Sequence, residues 1–136
     1  MGPLNAGLHP HSCVAQVIMG LAAAGALAAA ISAFTTITEA GPSALMPGTW
    51  RFYGFLVFAA LFALLNWRPR HYRWLWEIVI LNKLLLAVTA GGYATGVIGP
   101  GEVDGAMAAF VADGVLAAAI LTAYVFGRGW RAPPSL

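Results

Sequence analysis

Apolar residues dominate four stretches of the chain: Val14 to Ile37, Arg51 to Trp67, Trp74 to Ile98 and Asp104 to Phe126. Each approaches the run of about 20 mostly apolar residues that a helix needs to cross a hydrocarbon core about 30 Å thick. Between them the pattern turns abruptly to helix breakers and charge. Gly41-Pro42 and Pro47-Gly48 punctuate the first connection, Arg68-Pro69-Arg70 the second and Gly99-Pro100-Gly101 the third. Proline lacks the backbone donor and glycine lacks helical preference, so each cluster predicts a break. Short connections make successive helices neighbours of opposite sense. The expected fold is therefore all-α and integral to a membrane, an antiparallel four-transmembrane-helix bundle. It forms a single domain over residues 1–136, with spans 14–37, 51–67, 74–98 and 104–126 and short tails at 1–13 and 127–136.

Composition agrees with this solvent. The chain is 60% hydrophobic and 9% charged, whereas a soluble domain carries about 25% charged residues. A net charge of +2, scattered along the sequence, excludes the basic face of a nucleic-acid binder. Arg68, Arg70 and Arg73 fall in the second connection, and Arg128 and Arg131 follow the fourth span. The opposite side carries Arg51 with Glu39, Glu102 and Asp104. Short loops rich in Lys and Arg stay in the cytoplasm, so both termini are expected there. The expected location is a multi-pass position in the plasma membrane of a prokaryote. Trp50, Trp67, Trp74, Trp76 and Trp130 all fall near span ends, where indoles sit at headgroup level. Met1 to Ser12 contains no Lys or Arg to open a signal peptide, so the first run is expected to remain as a span.

Helices in lipid associate through small residues that let backbones approach. Gly20, Ala24, Ala28 and Ser32 repeat every four residues in the first span, beside Gly25, Ala29 and Ala33. The fourth span has Gly105, Ala108, Ala109 and Ala112, with Ala119 and Ala123 further along, while Phe52, Phe55, Phe58 and Phe62 supply bulk in the second. Packing within the chain is the ordinary use of such stripes, and a homodimer seam along the first span is the alternative. Gly91, Gly92 and Gly96 predict a local distortion of the third span, with Tyr93 and Thr95 placed to satisfy freed backbone groups.

Charges at mid-bilayer are costly and need a reason. Lys83 lies nine residues beyond Trp74 and Asp113 nine residues beyond Asp104, each about 13.5 Å into its span from opposite membrane faces. At those depths they can meet as an interhelical ion pair. Glu77 lies four residues after Arg73, the spacing of a boundary ion pair. Lys83, Asp113 and Glu77 are the candidate acid/base and tuning groups, and Asn82, Tyr93 and Tyr53 the candidate substrate-binding side chains. Alternatively, Lys83 and Asp113 fix helix order as a structural pair.

Other chemistry is not indicated. His9-Pro10-His11 offers two imidazoles and no third ligand, the pattern of a tail, and no metal is expected. His71 and the serines form no hydrolytic set, and there is no Walker loop, dinucleotide fingerprint or zinc helix, so no cofactor is expected. Cys13 is the single cysteine and cannot form a disulfide within the chain. It falls at the start of the first span, where a small buried apolar role is expected ahead of palmitoylation.

Trp50-Arg51-Phe52-Tyr53-Gly54-Phe55, followed by an apolar helix, the Arg68-Pro69-Arg70 turn and a third helix bearing Lys83, resembles the small four-helix membrane proteins of the DoxX-like group. The likeness covers the second and third spans and part of the fourth. It implies a four-helix fold and an accessory role beside redox or transport systems, and carries over no site residue. Two functions are thus expected of this chain. One is an accessory subunit of a larger membrane system, docked through its first span or its basic connection. The other is an intramembrane enzyme, of isomerase or cyclase type, moving protons on a lipophilic isoprenoid- or sterol-like molecule. Its partners are the lipid bilayer and a membrane protein, a second copy or such a molecule, with no nucleic acid.

Overall fold

A computed structural model describes residues 10–99 and 103–127, and all regular structure among them is helical. The helices are α1 (Pro10–Thr38), α2 (Pro42–Trp67), α3 (Arg73–Ala94) and α4 (Ala106–Phe126). All four are long and apolar enough to cross a membrane, the signature of a multi-pass membrane protein. Large apolar side chains such as Val17, Leu21, Val88 and Val115 are exposed on them, a surface suited to lipid and foreign to a soluble monomer. His9, Glu102, Arg128, Trp130 and Arg131 lie outside the described residues.

The chain divides into two compact units, Met1–Pro69 and Arg70–Leu136. In the first, α1 packs on α2. The buried residues of α1 are Ala15, Met19, Ala22, Ala30 and Ala33, spaced at the threes and fours that keep one face toward a neighbour. Phe62 and Leu65 of α2 are completely buried. Gly20 lies against the Asn66 amide, and the rings of Phe34 and Phe52 lie 5.7 Å apart. The expected row of small residues is therefore only partly used: Gly20 meets α2, but Ala24, Ala28 and Ser32 are exposed. The packing is done by the alanines one face over.

The first connection is much shorter than the sequence pattern predicts. Rather than starting at Arg51, α2 starts at Pro42 and runs through Pro47. Proline fits the opening position because its fixed φ is helical and its missing donor has no partner there. Pro47, in the second turn, deprives one early carbonyl of a helical donor. Gly48 is a contact position: a Cβ there would stand 3.0 Å from Ile37 Cγ1. The small side chain lets the start of α2 close on the end of α1.

In the second unit, α3 packs on α4. The buried face of α3 is Trp76, Val79, Lys83 and Ala87, and that of α4 is Ala106, Ala117, Ile120 and Ala123. Both follow helical spacing, and Lys83 occupies a position where the pattern calls for an apolar side chain. Ala108, Ala109 and Ala112, expected to form a packing stripe, are exposed.

The distortion expected in the third span is a helix end. α3 stops at Ala94, and Gly96 adopts a left-handed φ of +68°. The Gly96 N–H donates to the Tyr93 carbonyl and the Ile98 N–H reaches back to the Gly92 carbonyl at 3.1 Å, satisfying the end as a glycine cap does. Thr95 Oγ1 donates to the Gly91 carbonyl at 2.8 Å, the backbone-satisfying role expected of it. Both helical glycines admit close neighbours. A Cβ on Gly91 would lie 3.1 Å from the Phe110 ring, and one on Gly92 would collide with Ile98.

Candidate functional site

The candidate site is the seam between α3 and α4. Lys83 and Asp113 meet there, the Lys83 ammonium donating to Asp113 Oδ1 at 2.8 Å. Their side chains are 7% and 21% exposed. The two charges expected from their depths to meet therefore do so. The contact is a charge-assisted hydrogen bond between partners distant in sequence, at the usual length for an ammonium and a carboxylate. In such surroundings each charge makes the other tolerable, and removing Lys83 takes from Asp113 its cation while removing Asp113 takes from Lys83 its anion.

Glu77 lies further toward the start of α3. Its Oε1 accepts from Arg73 Nε at 3.2 Å and from the Tyr124 hydroxyl at 3.3 Å. The Arg73 contact is the four-residue pair expected from sequence, and both side chains are more than a third exposed. Glu77 is six residues from Lys83, about 9 Å along the axis, so it forms a second cluster with its own partners. Tyr124 was not singled out by the sequence pattern. Its signal is indirect: once Lys83 is paired with Asp113, residues earlier on α3 must face residues later on α4.

Trp76 differs from expectation. It is completely buried, with its ring 6.0 Å from that of Tyr124, whereas Trp50, Trp67 and Trp74 are exposed as interfacial indoles would be. Arg68 lies over the Trp67 ring and Arg73 over the Trp74 ring, adding cation–π contacts at both helix ends.

The remaining candidates are dispersed. Asn82 follows Leu81 into the same helix turn as Lys83, and its Oδ1 is buried without a hydrogen-bond partner among the described residues. Tyr93 lies at the end of α3 with its ring against Gly99. Tyr53 belongs to the α1–α2 unit, where it is exposed with its ring tilted against that of Phe52. Among the described residues no three His, Cys, Asp or Glu side chains come together as metal ligands. Cys13 is exposed, which differs from the buried role expected of it.

Chemically, the seam can do two things. The Lys83–Asp113 pair can latch α3 to α4, and the part-buried acid can exchange a proton once its ammonium partner is displaced. Comparison with protein-family models, curated proteins and solved structures finds no match to this chain.

Proposed function

We propose that this chain is an accessory subunit of a larger membrane system, an antiparallel four-helix bundle with both termini in the cytoplasm. The observation that carries the reading is the Lys83–Asp113 contact at 2.8 Å. Its two charges are spent on one another, as suits a latch that fixes helix rotation. A catalytic acid would instead be held ready for substrate. A partner would seat on α1, where Ala24 and Ala28 are exposed and allow close approach of another helix, or on the basic connection at Arg68 and Arg70. The DoxX-like resemblance points the same way.

The test is native mass spectrometry of the protein extracted gently from its own membrane, with Ala28→Phe alongside. A stoichiometric protein complex that disappears in Ala28→Phe supports the accessory role. A lone chain or homodimer carrying one specific apolar small molecule overturns it.

A second reading is favoured by the Oδ1 of Asn82, which has no partner among the described residues and belongs to the residue before Lys83. A buried amide oxygen without a donor is costly in the absence of a ligand. In this reading the chain is an isomerase- or cyclase-type enzyme on a lipophilic isoprenoid- or sterol-like molecule. Asp113 moves the proton, Lys83 tunes it and Asn82 receives a hydroxyl of the substrate.

A further inference from the structure

The structure gives Arg51 a setting that the sequence pattern had hidden. Because α2 starts at Pro42, Arg51 lies nine residues inside a helix, about 13.5 Å from its start. The exposed indoles of Trp50 and Trp67 are 17 residues apart. That is about 26 Å along the axis, close to the thickness of a hydrocarbon core of about 30 Å. Arg51, adjoining Trp50, is thereby set at the boundary of headgroups and acyl chains.

Three of the other described basic side chains are already engaged, whereas Arg70, in the second connection, has no ion pair or ring contact among the described residues. Arg68 lies over Trp67, Arg73 over Trp74 and beside Glu77, and Lys83 against Asp113. Arg51 has no ion pair, ring contact or side-chain hydrogen bond among the described residues. Glu39 is the sole acid between Met1 and Pro69, and it lines neither of the two clefts that Arg51 touches.

Those clefts lie on either side of the arginine. One, of about 240 Å³, is lined by Ala29, Ser32, Ala33 and Phe55 with Arg51. It runs from Arg51 toward the middle of α1 and α2, with Arg51 and Ser32 as its polar lining and Ala29, Ala33 and Phe55 as its apolar part. The other, of about 230 Å³, is lined by Thr36, Ala40, Ala44 and Gly48 among others, again with Arg51, and lies toward the α1–α2 connection. The Ser32 hydroxyl makes no hydrogen bond among the described residues. A guanidinium with free donors, a hydroxyl beside it and apolar room on the hydrocarbon side match an anion that carries an acyl chain. Arginine suits this task because its planar fork binds phosphate oxygens in pairs.

We propose that Arg51 and the two clefts it divides form a binding site for one anionic phospholipid. Its phosphate rests on the Arg51 guanidinium with Ser32 beside it. An acyl chain follows Ala29, Ala33 and Phe55, and the rest of the headgroup occupies the cleft toward the connection. The docking face at Ala24 and Ala28 lies nearer the start of α1, Ala28 being one turn from Ser32, and the lipid site uses neither of those two side chains.

The test titrates the full chain in neutral detergent with phosphatidylglycerol or phosphatidylcholine and reads bound lipid by native mass spectrometry. The expected result is one preferred phosphatidylglycerol. Arg51→Gln weakens that binding about tenfold, the scale of a lost charge-assisted hydrogen bond, while Arg68→Gln leaves it unchanged. Ala29→Leu, which keeps the charge and narrows the apolar cleft, also weakens it. Equal retention by Arg51→Gln and the unaltered chain overturns the site. Displacement of the lipid by inorganic phosphate overturns it as well, because the site would then read the ion alone. Should Arg51→Gln lose helical content, Ala29→Leu decides: unchanged binding in that variant overturns the proposal.

Discussion

Lys83 and Asp113 stand 30 residues apart in sequence and meet at 2.8 Å across α3 and α4. Lys83 is the one buried charged side chain among the described residues, placed on a seam otherwise made of Trp76, Val79 and Ala87. A pair in this position makes helix rotation specific, since turning either helix by one residue would expose one charge to hydrocarbon and strand the other.

The first prediction concerns that pair. Lys83→Met or Asp113→Asn alone leaves one polar group without its partner, and each is expected to lower stability by about 3 kcal/mol. The double variant is expected to recover most of the loss. Thermal unfolding in detergent micelles measures all three. In the accessory reading the double variant also retains partner binding. In the enzymatic reading Asp113→Asn folds and abolishes turnover, and the double variant does not restore it.

Why this pair was legible in the sequence, while other parts were not, follows from contrast. Two opposite charges in apolar runs are conspicuous, and rise per residue alone sets their depths. Which alanines pack is a different matter. Ala22, Ala30 and Ala33 are buried whereas Ala24 and Ala28 are exposed, yet all are the same residue in a helix that is apolar on every side. A soluble helix marks its buried face by polarity, and a helix in lipid does not. Trp76 was hidden for the same reason, because an indole near a helix end suits either the interface or the seam. Pro47-Gly48 misled in another way. The dipeptide reads as a break, but proline is tolerated near a helix start and glycine also serves close packing. Arg51, expected to open the second span, therefore lies within a helix that starts at Pro42.

A second prediction follows from the two neighbouring indoles. Trp76 is 0% exposed and Trp74 57%. Trp76→Ala opens a cavity against Tyr124 and is expected to cost about 3 kcal/mol or more. Trp74→Ala removes an interfacial side chain and its contact with Arg73, and is expected to stay within about 0.5 kcal/mol in micelles. Denaturant titration followed by the remaining tryptophan fluorescence separates them, and equal losses would contradict the burial of Trp76.

The end of α3 supplies a third. Gly96 has φ +68°, and a Cβ built there meets nothing within 4 Å. Any cost of substitution is therefore one of backbone conformation. Gly96→Ala is expected to lower stability by about 1 kcal/mol, the penalty of a side chain in the left-handed region. Gly96→Asn should cost less, since asparagine tolerates that region. A rank order with asparagine worse than alanine would mean that α3 does not end in this cap.

The last prediction tests the proposed orientation. Cys13 is the single cysteine of the chain and is exposed, at the beginning of the apolar part of α1. Placing the arginines of the second connection in the cytoplasm places the start of α1 there too, because two spans separate them by a return across the bilayer. A membrane-impermeant maleimide should then label Cys13 in inside-out vesicles and leave it untouched in sealed right-side-out vesicles. Detergent should make the two preparations equal. Adding Arg68→Glu and Arg70→Glu removes the charges that hold the second connection inside, so the labelling should shift toward the right-side-out vesicles. Labelling from the outer side in the unaltered chain would reverse the topology, and with it the leaflet in which Arg51 meets its lipid.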